Sequence, residues 1–131
     1  MNSNKRDGNR FEWELCNILS QHGYWAHNFA QNAAGQPADI IAVKDGFAEL
    51  IDCKVCSHGY FSTKRIEENQ QYSMHLWAQY GNGVGWFAVK FGERVYMVTL
   101  DSLLEAGRTS LQEWWFKENC ITLEDWMIRC E

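Results

Sequence analysis

The sequence predicts an α/β fold, a mixed central sheet flanked by helices with a helical tail at the C-terminus. Three observations carry this expectation. Apolar residues recur at helical spacing in "RFEWELCNILSQHG" (10–23) and again in "RIEENQQYSMHLWAQYG" (65–81). Between and after these segments lie four apolar runs of strand length, "ADIIAVK", "FAELIDCKV", "GWFAVKF" and "RVYMVTL". Those runs are joined in pairs by short glycine turns, "DG" at 45–46 and "GE" at 92–93. Helices interleaved with strands in this order pack on the faces of one sheet.

Each element has a local reason. The first helix carries Phe11, Leu15, Ile18 and Leu19 on one face, and Gly23 follows as a stop. "YWAHNFA" (24–30) is a short strand candidate. The strand at 38–44 follows Pro37, the only proline, and "DG" returns the chain into a second strand at 47–55. "SHGYFSTK" (57–64) reads as a loop. The second helix, 65–81, sets Ile66, Gln70, Met74 and Trp77 on one face. Strands at 85–91 and 94–100 follow. The tail offers a helix around "DSLLEAG", another near "SLQEWWFKEN", and a last turn at "TLEDWMI".

Composition sets the class. With 131 residues, 46% apolar and 22% charged, the expectation is one globular domain over 1–131, with a core at about 8–100 and an extension at about 101–131. No apolar run approaches the roughly 20 residues of a membrane span. The polar start "MNSNKRDGNR" has no signal-peptide core, so the expected location is cytoplasmic, with no membrane partner. Five cysteines, at 16, 53, 56, 120 and 130, are an odd number for a disulfide framework. "CKVC" (53–56) has a zinc-like spacing, but it lies at a strand end and has no second close pair. Net charge is −5 and uneven: residues 1–65 hold seven basic and seven acidic side chains, residues 66–131 five and ten. If Glu12, Asp39 and Asp52 hold a metal, the first half presents a positive face of Lys5, Arg6, Arg10, Lys44, Lys64 and Arg65.

The informative conflict is three charges in apolar strands. Residues i and i+2 of a strand share a face, so Asp52 and Lys54 point together. A two-residue "DG" turn pairs Lys44 with Phe47 and brings Asp39 beside Asp52. Neighbouring carboxylates repel unless a cation lies between them, and Mg²⁺ takes one or two carboxylates plus water and phosphate oxygens. Lys54 adds a point charge able to orient water or stabilise a phosphoryl transition state. These are the parts for metal-assisted phosphodiester hydrolysis. The competing structural account is an Asp–Lys pair at a sheet edge, with Asp39 capping a turn after Pro37.

Pro37-Ala38-Asp39 with Ile51-Asp52-Cys53-Lys54 resembles the PD-(D/E)XK nuclease signature, with Ala38 between proline and aspartate. "GNRFEWEL" (8–15) followed by "LSQHGY" (19–24) is similar to the first helix of the archaeal Holliday junction resolvases. "ADIIA" and "LIDCKV" resemble their metal strands, and "GVGWFAVKF" (83–91) a later strand. The resemblance covers roughly residues 5–100 and implies a restriction-endonuclease-like αβββαβ core. It implies Glu12 as the acid of the first helix, with Glu14 the alternative, and Asp39 and Asp52 as strand ligands. Cys53 would lend its backbone carbonyl, and Lys54 is the implied catalytic lysine. Asp52 stands where the archaeal enzymes usually carry glutamate. Gln70 matches a glutamine that some relatives place near the site; otherwise it is an ordinary polar helix residue. His58 and Tyr60, after the metal strand, would touch the DNA backbone with Lys64 and Arg65, or else form a solvated loop.

The expected function is therefore a Mg²⁺-dependent DNA endonuclease, with Mn²⁺ a possible substitute, acting on branched or four-way junction DNA and leaving a 5′-phosphate. The alternatives are a less selective nuclease or nickase, and an inactive nuclease-like DNA-binding or inhibitor protein. A junction needs two symmetric cuts, so a homodimer is expected. Trp114, Trp115, Phe116 and Trp126 could build its interface or pack the tail onto its own sheet.

Overall fold

The computed structural model of the protein describes residues 3–29 and 36–129, the first four of these by backbone alone. Helix α1 spans Ser3–Gln21, starting ahead of the Arg10 expected from the pattern. Strands β1 (Trp25–Asn28), β2 (Ile40–Lys44) and β3 (Phe47–Val55) follow. Then come β4 (Tyr60–Ser62), α2 (Glu68–Trp77), β5 (Trp86–Phe91) and β6 (Arg94–Thr99). The tail holds α3 (Leu100–Glu105), β7 (Ser110–Gln112), α4 (Glu113–Asn119), β8 (Ile121–Thr122) and α5 (Leu123–Ile128).

Six strands form the main sheet in the order β1-β2-β3-β5-β6-β8. Only the β3–β5 pair is parallel, so the sheet is mixed as expected. The β2–β3 turn is left-handed at both central residues, Asp45 (φ 53°) and Gly46 (φ 83°), as a type I′ turn requires. It locks the register Lys44↔Phe47 through Ile40↔Ile51.

Helices cover both faces. Phe11, Leu15 and Leu19 of α1 and Leu123, Trp126 and Met127 of α5 pack on Ile40, Ile51, Ala88 and Met97. On the other face Met74, Leu103, Leu111 and Phe116 pack on Leu50, Phe87, Val89 and Val98. Gly85 lets α2 approach closely: a Cβ there would lie 2.5 Å from Met74 Cγ.

Three expectations are corrected. Residues 57–64 are not simply a loop: β4 pairs with β7, and Thr63–Arg65 form a 3₁₀ turn capped by Ser62 Oγ. The second helix begins at Glu68, because that turn and the extended Ile66 and Glu67 occupy its expected first residues. It ends in a π turn, Ala78–Asn82. The tail is not purely helical, since β7 and β8 add strands. Of the two roles open to the tail aromatics, Phe116 and Trp126 take the second, fully buried in the chain's own core, which leaves only Trp114 and Trp115 toward the surface. Ala30, at the end of the first strand candidate, Cys130, and the side chains of Lys5 and Arg6 lie outside the described residues.

Candidate active site

The site grows out of the hairpin register. Asp39 immediately precedes β2, and its N–H donates to Ile51 O at 3.1 Å, which sets it opposite Asp52. Along β3 and the residue after it, Leu50, Asp52, Lys54 and Cys56 alternate onto one face. Leu50 and Cys56 join the core under α2, so Asp52 and Lys54 occupy positions that an apolar strand would fill with aliphatic side chains. Asp52 is 1% exposed.

A carboxylate so placed needs partners. Gln70 Nε2 donates to Asp52 Oδ1 at 2.9 Å. Gln70 Oε1 accepts from the Glu67 N–H at 3.2 Å, so the start of α2 fixes which end of the amide faces Asp52. Lys54 Nζ lies 3.0 Å from Asp52 Oδ2, yet no donor is aligned for a hydrogen bond on that oxygen. Oδ2 is thus held chiefly by the charge of Lys54. Asp39 Oδ2 accepts the Cys53 N–H at 2.7 Å.

Glu12 reaches the same cleft from α1. Glu12, Asp39, Asp52, Cys53, Lys54 and Gln70 line one cavity of about 400 Å³. Burial, and then the Asp39 charge, push the Glu12 carboxyl up to about 7, against a hydrogen bond from Asn28 and the charge of Lys54. Burial, and then Asp39, likewise hold Asp52 well above the usual carboxylate range. Glu14, the alternative acid, instead pairs with Lys90 at 3.5 Å.

These donors suit a hard cation. Three acidic side chains converge on one polar cleft, two have their charged forms disfavoured, and one buried carboxylate oxygen lacks an aligned donor. They do not form a closed cage: among the described residues no three His, Cys, Asp or Glu side chains gather tightly enough to hold an ion alone. Mg²⁺ takes water and phosphate oxygens as well, so an open set of acids is consistent with it.

Of the remaining expected residues, those whose side chains are described do not line the cleft. His58, Tyr60 and Arg65 line an adjoining cavity. Arg65 Nη1 donates to Val55 O at 2.8 Å, so part of its role is structural. Lys64 and Arg10 are exposed. Lys44 is displaced from the expected positive face: it stands at the hairpin end of β2, five residues and roughly 17 Å from Asp39, over the Tyr24 ring. Sequence reasoning missed Gly8, Asn9, Gln36, Glu67 and Asn69, which also line the cleft, and Asn28. Gly8 and Asn9 precede Glu12 by four and three residues, a helical spacing that would have flagged them. Asn28 and Gln36 have no such local signal.

The chain belongs to the archaeal Holliday junction resolvase (Hjc) family, whose sequence pattern it matches over residues 3–130. It is also similar in fold to the Holliday junction resolvase Hjc of the archaeal hyperthermophile Archaeoglobus fulgidus. That similarity has a TM-score of 0.69 at 16% identity, covering 88% of this chain and 94% of that one. None of the curated proteins matches closely enough to add a relative. The family match extends through the tail, beyond the residues that carry the signature.

Proposed function

We propose that this chain is a Mg²⁺-dependent endonuclease that resolves four-way DNA junctions by phosphodiester hydrolysis. The observation that carries this reading is the convergence of Glu12, Asp39, Asp52 and Lys54 on one cleft. Asp39, Asp52 and Glu12 would hold the cation, with the Cys53 carbonyl as a further donor. When bound, the cation acidifies a water and offsets charge developing on the phosphate. Water attacks phosphorus in line with the departing 3′ oxygen; the new P–O bond forms as the P–O3′ bond breaks, and the 3′ oxygen gains a proton. The Lys54 ammonium stabilises the extra negative charge on the phosphoryl oxygens. Gln70 holds Asp52 in place through an amide that α2 orients. Lys5, Arg6, Arg10, His58, Tyr60, Lys64 and Arg65 would contact the DNA.

The family match supports a junction as substrate, and two symmetric cuts call for a C2 homodimer of one-domain subunits. The family's work on DNA supports a cytoplasmic location. No described helix is long and apolar enough to cross a membrane. The test is cleavage of a labelled four-way junction and of linear duplex, each with Mg²⁺ and with EDTA. Cleavage of the junction only, and only with Mg²⁺, is expected. Equal cutting of linear duplex would move the reading to a less selective nuclease, and binding without cutting to an inactive DNA-binding module.

A further inference from the structure

A second cavity, of about 270 Å³, adjoins the catalytic cleft and shares Gly8 and Cys53 as walls. It lies where the chain leaves β3. Val55 and buried Cys56 are apolar parts of its lining. His58 and Tyr60 also line it and are both exposed, Tyr60 by 46%. Pairing with β7, Tyr60↔Gln112, fixes the backbone beneath that ring.

The charges of this cavity do not suit a phosphate. Its lining holds Arg65 but also the acid Asp7. Arg65 is also committed through Nη1 to the Val55 carbonyl and lies 3.8 Å from Cys56 Sγ. Apolar lining, an aromatic ring and the hydroxyls of Ser57 and Ser62 suit a flat heterocycle with polar edges. The volume lies just under the roughly 300–1,000 Å³ of drug-sized ligand sites, in keeping with a ligand as small as one base.

We propose that this cavity receives a nucleobase unstacked beside the scissile phosphate, with Tyr60 as the stacking surface and His58 at the base's polar edge. The proposal rests on the nuclease reading above. Extruding a base is least costly where stacking is already interrupted. The branch point of a junction offers such bases and continuous duplex does not. The cavity therefore contributes selectivity for branched DNA from outside the catalytic carboxylates.

The experiment measures equilibrium binding to a fluorescent four-way junction in EDTA, after wild-type cleavage with Mg²⁺ has located the scissile phosphate. Junctions carry an abasic site at one of the two nucleotides on either side of it. Tyr60→Ala should weaken binding of the intact junction about tenfold, within the range of one lost base–aromatic stack. Tyr60→Phe should bind like wild type. At one abasic position Tyr60→Ala should bind as tightly as wild type, and His58→Ala should show the same dependence on that base. An equal loss on intact and abasic junctions would make Tyr60 a backbone contact and overturn the pocket; no loss on either would overturn it too. Wild type that cuts no junction with Mg²⁺ would refute the nuclease reading instead, a result separable from the binding comparison.

Discussion

Asp52 fills a core position with a charge, and its consequences can be measured apart from DNA. Asp52→Asn removes a carboxylate that burial and Asp39 both disfavour, while Gln70 and Lys54 stay in place. The metal-free variant should melt at a higher temperature than wild type, yet cut junctions at least about 100-fold more slowly, the upper end of what even an outer-shell metal partner contributes. Unchanged cleavage by this variant would remove Asp52 from the metal site. Glu12 gives a pH signature. Its folded carboxyl titrates near 7 against an ordinary value of 4.5, so folding favours the protonated form. That contribution to stability is full below 4.5 and is lost as pH rises through about 7; Asp52 acts in the same direction. In EDTA, thermal stability should therefore fall between pH 4.5 and 7.5, and Glu12→Gln should flatten the slope. Stability that climbs equally in wild type and variant over that range would contradict this. Near pH 7 Mg²⁺ should stabilise the wild type, because it favours the ionised carboxylates.

At the scale of elements, close contact between α2 and the sheet is a condition of the site, because α2 carries Gln70. Gly85→Ala puts a methyl group onto buried Met74, and overpacking of this kind costs about 1–3 kcal/mol, readable as a shift in urea midpoint. A neutral result would mean that Met74 moves aside freely. The β2–β3 hairpin was legible in the sequence because two neighbouring residues, Asp45 and Gly46, dictate its turn and hence the pairing of Asp39 with Asp52. The strands β7 and β8 were not. They span three and two residues, too few to show a period, and exist only through distant partners in β4 and β6. The same limit hid the true start of α2, where Gln70 satisfies the Glu67 N–H from within the first turn. The choice between Glu12 and Glu14 also lay beyond the helical wheel; Lys90, from β5, engages Glu14 and leaves Glu12 to the cleft.

Across the whole molecule, the tail is part of the core. Trp126 is fully buried, stacked on Tyr24 at 5.6 Å and edge-on to Trp86 at 5.8 Å. Arg129 lies over it at 4.1 Å and pairs with Glu49 of β3 at 2.7 Å. Trp126→Ala should cost about 3–5 kcal/mol in denaturant unfolding, the range for large buried aromatics. A loss below 1 kcal/mol would show that the tail is dispensable. Trp114, 44% exposed, is the better test of assembly. Wild type should scatter light as a dimer of 15.3 kDa chains, and Trp114→Ala should shift it toward monomer without changing its melt at low concentration. The placement of Trp126 also bears on biosynthesis. The face of the sheet beneath α1 is completed by Leu123, Trp126 and Met127, among the last described residues to be translated. Until they leave the ribosome, the nascent chain exposes Ile40, Ile51 and Met97 on that side, a surface for chaperones to hold. Ribosome-bound chains stalled before residue 123 should therefore be more protease-sensitive than chains stalled well beyond residue 129, and equal sensitivity would show that α5 is not needed to close this face.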